Sequence, residues 1–277
     1  MSTLKAGQHQ EEPTRKQRRE QARTERREIG QAQAAAAVRR TRLSLLGIVV
    51  AVVVAGIVVV LIASAGSGEK HIKPGSAEAT TATGKITTLL AGIPQHGNVL
   101  GRPTAPITLQ YFGDLECPVC RAFTIGALPS VVGKWVRGGE LKVEYRSLET
   151  ATREPEVFRA QQVAALAAGT QNRLWNFVET FYHEQGEEDT GYVTENFIQG
   201  IAKQVPGLNL AAWTSERGEP ALSNLLASDE QAANSNGLDG TPAFLLGRSG
   251  GALTQLEPSS FTEPSPFNEA IEKLVKS

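Results

Sequence analysis

The chain has 277 residues, 40% of them hydrophobic, with a formal net charge of −1, two cysteines and four histidines. That near-neutral total hides a split: residues 1–42 hold eleven Lys and Arg against five Glu, a net of +6, and the residues beyond 65 sum to −7. The cysteines and histidines lack the spacing of a four-coordinate zinc site, which argues against a metal-built domain.

The 1–42 segment is rich in Arg, Gln, Glu and Ala and nearly free of large apolar residues. It cannot build a core, so a disordered or solvated basic tail is expected. Its charges could meet anionic lipid or nucleic acid, but without interleaved aromatics the topogenic reading is preferred and no nucleic-acid partner is expected.

Leu43 to Ala65 runs 23 residues without a charge. At about 1.5 Å per residue it reaches roughly 35 Å, enough for a hydrocarbon core of about 30 Å. Ala63-Ser64-Ala65 offers a cleavage-site alternative. The run exceeds a signal-peptide core of about 7–15 residues, however, and follows a long charged segment, which favours an uncleaved transmembrane helix. The basic N-terminus then stays in the cytoplasm and the rest is exported from a single-pass cell-membrane anchor. Residues 66–84, rich in Gly, Ser, Ala and Thr, read as a flexible linker, and 85–277 as one folded domain.

Within that domain, Ile107 to Phe112 suits a buried strand bounded by Pro106 and Gly113. Cys117-Pro118-Val119-Cys120 follows, and Cys120, Phe123, Ala127 and Leu128 recur at helical spacing. A cysteine at a helix start sits among unpaired N–H groups at the positive end of the dipole, where a thiolate is stabilised. Cys117 is therefore expected exposed at the helix tip, attacking a substrate, with Cys120 facing the core and resolving the mixed disulfide. A structural disulfide or half of a zinc site are the alternatives.

Leu141, Val143 and Tyr145 alternate as a second strand. Helical faces follow at Phe158 to Ala167 with a stop at Gly169, at Leu174 to Phe181, and at Phe197 to Val205. Ala243–Leu246 and Ala252–Leu256 read as a hairpin, and Pro266 opens an amphipathic closing helix.

Four segments in this order resemble the DsbA-like thiol:disulfide oxidoreductases of the thioredoxin-like superfamily: Leu100 to Thr108, Tyr111 to Cys120, Leu174-Trp175-Asn176-Phe177, and Gly237 to Phe244. The tail, span and tether look like the family's membrane-anchored members of actinobacterial type. The resemblance implies an α/β thioredoxin-like fold with a helical insertion at about 153–236. It also matches Thr241-Pro242 to a cis-proline loop that lies against the active-site disulfide and leaves the Thr241 backbone free for an extended substrate. No cofactor beyond the Cys117–Cys120 disulfide is implied.

Two positions depart from the family. Tyr111 stands where many relatives carry a buried acid, and Val119 where strong oxidases often have His. Asp114 and Glu116 are expected to raise the Cys117 pKa, with Arg121 partly compensating, so that the disulfide is less oxidising than in the most extreme oxidases. The activity implied is oxidation of exported proteins, with a membrane reoxidase of the DsbB or vitamin K epoxide reductase type. A disulfide reductase, or a tethered binding or chaperone module stapled by the disulfide, are the rival readings.

Overall fold

The structure, a computed structural model, describes residues 76–277. The basic tail, the apolar run 43–65 and the first part of the tether lie outside the described residues. Among the described residues no helix is long and apolar enough to cross a membrane.

The first element corrects the tether reading. Helix α1 spans Ala77–Leu90, and Ser76 caps it by accepting the Ala79 N–H through its side chain. Its small and polar residues look like a linker, yet Ala79, Ile86 and Leu90 are buried. Packing of a few apolar side chains has overridden weak local propensity.

Two short strands, β1 (Gln95–His96) and β2 (Val99–Leu100), lead into the central strand β3, Ile107–Gly113. Helix α2 (Pro118–Ile125) and the short α3 (Leu128–Val131), which runs into a π-turn at Val132–Val136, return the chain to β4 (Leu141–Ser147). The helical run expected to continue through Leu128 breaks at Gly126. A Cβ there would meet Ala122 O at 2.7 Å and Thr262 O at 3.0 Å, so only glycine lets the Thr262 backbone approach.

Five helices then form the insertion: α4 (Pro155–Thr170), α5 (Leu174–Glu184), α6 (Glu195–Gln204), α7 (Leu210–Glu216) and α8 (Pro220–Ser235). Gly169 does not stop α4. It is buried and allows Gly97 O within 3.1 Å of where a Cβ would sit. The chain closes with β5 (Ala243–Arg248), β6 (Thr254–Gln255) and α9 (Ser265–Lys276). The expected hairpin is real but its second strand is only two residues long, both exposed.

The sheet order is β1-β2-β4-β3-β5-β6, with β3 and β4 parallel and the other pairs antiparallel. Register aligns Tyr111 with Tyr145 on one side and Phe244 on the other. On that face Tyr111, Phe123, Phe244 and Phe267 form an aromatic cluster whose ring centroids lie 4.7–5.5 Å apart in the contacting pairs. Phe112 and Leu245 face the other way and pack with Ala233 at the end of α8 and with Leu238. This thioredoxin-like α/β arrangement, helices on both faces of a mixed sheet, leaves the turn after β3 at the end of the central strand.

Candidate active site at the end of the central strand

Three local interactions convert strand into helix. The Cys117 N–H closes a turn on Asp114 O at 3.0 Å, and the Glu116 N–H donates to Asp114 Oδ1 at 3.1 Å. Pro118 then enters the first turn of α2, where its missing N–H costs nothing. Cys117 is the N-cap: its sulfur accepts the Cys120 N–H at 3.4 Å. Val119 packs, partly buried, against the main core.

Both cysteines are free thiols. Cys120 is fully buried, as expected, but Cys117 is not at an exposed tip; only 5% of its surface reaches solvent. The Thr241–Pro242 loop covers it. That peptide bond is cis, and the Cys117 thiol donates to Thr241 O at 3.4 Å. A periodicity argument from one helix could not foresee a lid from a loop 124 positions away.

The two thiols are driven apart in acidity. Cys117 is lowered from 9.0 to about 7, foremost by the hydrogen bond from the Cys120 thiol, then by Thr241 and the Cys120 and Val119 backbone, against opposing desolvation. Cys120 is pushed well above the usual thiol range by burial, by hydrogen bonding to Cys117 and by repulsion from its thiolate. At neutral pH the first sulfur is a partial thiolate and the second a protonated thiol.

The expected acidic modulators act elsewhere. Asp114 is fully buried and its Oδ2 accepts the N–H groups of Thr150, Ala151 and Thr152 at 3.1, 2.9 and 2.9 Å, while Oδ1 takes the Thr152 hydroxyl at 2.6 Å. Its charge is spent on the loop after β4, and it does not figure among the causes of the Cys117 shift. Glu116 has its own carboxyl raised, first by burial, and bonds to Thr152. Neither carboxyl is among the main causes of the Cys117 shift. Arg121 reaches away as well, its Nε donating to Tyr182 O at 2.9 Å.

Behind Cys120, the Tyr111 hydroxyl lies 3.4 Å from Cys120 O and 3.1 Å from the Tyr182 hydroxyl, which donates to Asp114 O at 3.1 Å. A neutral pair of phenols thus fills the space where the family's acid was sought. From the end of α5, Gln185 donates to Leu115 O at 2.7 Å and Cys117 O at 3.1 Å. Sequence reasoning did not single out Thr150, Thr152, Tyr182 or Gln185; each reaches the site from a loop or helix without a motif of its own.

Among the described residues no group of three or more His, Cys, Asp or Glu is arranged to hold a metal ion. A cleft of about 370 Å³ between the end of α1 and the start of α5, lined by Leu90, Ile93, Asn172, Arg173, Asn176 and Pro206 among others, contains neither cysteine.

The thioredoxin family model matches residues 95–253. Disulfide bond formation protein D of Bacillus subtilis is 21% identical over 183 residues, covering 64% of this chain and 77% of that protein. The crystal structure of oxidised BdbD from Bacillus subtilis superposes with a TM-score of 0.56 at 20% identity, over 68% of this chain and 98% of that one. Alpha-DsbA1 of Wolbachia pipientis gives 0.55 at 19% identity, over 68% and 92%. With the family model spanning more than half of its length, this chain belongs to the thioredoxin family, as one of its DsbA-like thiol:disulfide oxidoreductases.

Proposed function

We propose that the protein introduces disulfides into exported proteins from a single-pass membrane anchor, with Cys117 as the attacked and attacking sulfur and Cys120 as its partner. One observation carries the reading: the Cys117 sulfur caps α2, takes the Cys120 N–H, and has its pKa lowered to about 7 while Cys120 is raised. A stabilised Cys117 thiolate is a good leaving group, which favours giving the disulfide away.

A substrate thiolate attacks Cys117 Sγ of the oxidised pair, forming a substrate–Cys117 bond and releasing Cys120 as a thiolate that takes up a proton. A second thiolate of the substrate then attacks the substrate sulfur of that mixed disulfide, forming the substrate disulfide and displacing Cys117 as a thiolate. Two electrons pass from substrate to enzyme, leaving a substrate disulfide and the free dithiol. Thr241 and Pro242 line the mouth of the site, with Thr241 backbone available to an extended substrate. Recharging needs an oxidant, for which a quinone-linked membrane reoxidase of the DsbB or vitamin K epoxide reductase type is proposed. The apolar run 43–65 and the basic residues before it support the tether and the orientation.

A reductase using the same sulfurs is the second reading, and one observation favours it. A pKa of about 7 matches the Cys of thioredoxin, also about 7, more than that of DsbA at about 3.5. The reduction potential of the Cys117–Cys120 pair, read by thiol trapping across a glutathione series, decides. A value above about −180 mV makes it a donor, one near −270 mV a reductase, and one below about −300 mV a structural disulfide that would sink both. Cys120→Ser is expected to trap clients on Cys117 in cells. A tethered binding module would instead keep its function in Cys117→Ser.

A further inference from the structure

The thiol chemistry makes no use of the cleft between the end of α1 and the start of α5, yet the hydrogen bonds around it turn donors inward. Gln95 Oε1 accepts the Trp175 N–H at 3.2 Å, and Gln95 Nε2 therefore donates to Asn176 Oδ1 at 2.8 Å. A backbone N–H can only donate, so this chain of bonds fixes the orientation of both amides and leaves Asn176 Nδ2 facing away from Gln95. Asn176 is only 8% exposed and lines the cleft, and its Nδ2 has no partner among the described residues. Asn172 is fixed in the same way: its Oδ1 accepts the Gly97 N–H at 3.3 Å, and its Nδ2 is left without a partner among the described residues.

Arg173 brings a charge to the same wall. Its Nε and Nη1 donate to Pro206 O and Asn172 O, both at 3.0 Å, which holds the guanidinium in place while Nη2 has no partner among the described residues. No Asp or Glu is among the described residues that line the cleft. Helix α5 starts at Leu174 without a side-chain cap, so the positive end of its dipole adds to the guanidinium charge. At the end of α1, where partial negative charge would gather, Arg137 donates to Leu89 O at 2.7 Å and Ala91 O at 2.8 Å. Acceptors are thus spent on the protein, while donors and positive charge are left to the cleft. Leu90 and Ile93 add an apolar wall.

We propose that this cleft is a binding site for an organic carboxylate with an apolar side chain. Arg173 supplies the charge, the Nδ2 groups of Asn172 and Asn176 the neutral donors, and Leu90 and Ile93 the apolar surface. Its volume of about 370 Å³ is at the small end of ligand sites and suits an acylated amino acid or the last residue of a polypeptide. The site does not depend on the direction in which Cys117 and Cys120 pass electrons.

Saturation-transfer difference NMR on the full-length protein tests it, with N-acetyl-leucine as the probe and N-acetyl-leucinamide as its uncharged control. The acid is expected to saturate with a Kd of about 1–10 mM and the amide to bind about tenfold more weakly. Arg173→Gln removes the charge, and Asn172→Gly removes one amide while suiting the left-handed backbone there, φ 58°. Each is expected to weaken the acid, Arg173→Gln by about tenfold and Asn172→Gly by about threefold, with an unchanged Cys117 alkylation midpoint reporting an intact fold. A tetrapeptide ending in leucine with a free carboxylate separates the two sources of this chemistry: tighter binding than N-acetyl-leucine assigns the site to a polypeptide C-terminus, and equal binding to a small free acid. Lack of saturation by about 50 mM acid, equal affinity for acid and amide, or wild-type affinity in Arg173→Gln overturns the proposal.

Discussion

The Cys120 N–H points at the Cys117 sulfur from 3.4 Å, and the Cys120 thiol is the largest single cause of the lowered Cys117 pKa. The second cysteine thus lowers the pKa of the first through both its thiol and its backbone N–H. Cys120→Ala removes the thiol but keeps the N–H, so the Cys117 alkylation midpoint is expected to rise from about 7 part of the way to the ordinary thiol range. Alkylation kinetics of that variant between pH 5.5 and 9.5 check this; an unmoved midpoint would assign the activation to the backbone alone.

Glu179 on α5 is buried, its Oε1 has no hydrogen-bond partner among the described residues, and desolvation raises its pKa from 4.5 to about 8. Between these two values the folded protein holds a proton that the unfolded chain has lost, so stability falls as pH rises through this window, by about 1.4 kcal/mol per pH unit from this group. Glu179→Gln is expected to remove that slope and to be the more stable protein at pH 8. Urea denaturation at pH 5, 6.5 and 8 measures it, and parallel slopes for the two proteins would refute the assignment.

Asp114 satisfies four backbone N–H groups and one hydroxyl from inside the fold. Asp114→Ala leaves them without an acceptor and is expected to cost about 3 kcal/mol or more. Asp114→Asn keeps a carbonyl oxygen toward the loop and should cost clearly less. Denaturant midpoints of the two variants test the ranking, and equal losses would show that charge, not the acceptor geometry, holds the loop.

Phe123 stands in contact with Tyr111, Phe244 and Phe267 and is fully buried. Phe123→Ala opens a cavity under the Cys120 helix and is expected to cost about 3–5 kcal/mol. Leu225→Ala on α8, where 48% of the side chain is exposed, should stay within about 0.5 kcal/mol. Thermal or chemical denaturation compares them directly.

Much of the site was legible before any coordinates. The cysteine pair at a strand-to-helix junction, the proline in the first turn and the alternating Leu141, Val143 and Tyr145 are local patterns, and local patterns encode period and capping. The insertion at about 153–236 agrees with helices beginning at Pro155 and ending at Ser235 for the same reason.

Only the tertiary structure decided that Cys117 lies under Thr241, that Asp114 spends its carboxylate on Thr150 to Thr152, and that Tyr182 reaches Asp114 O. These contacts join residues 124, 36 and 68 positions apart in the chain. Composition made 77–84 look like tether, yet burial of Ala79, Ile86 and Leu90 turned Ala77–Leu90 into a helix. Periodicity in a sequence says which face of an element is apolar. Which distant atoms fill that face's hydrogen bonds, and therefore how deeply Cys117 is covered, is set by packing.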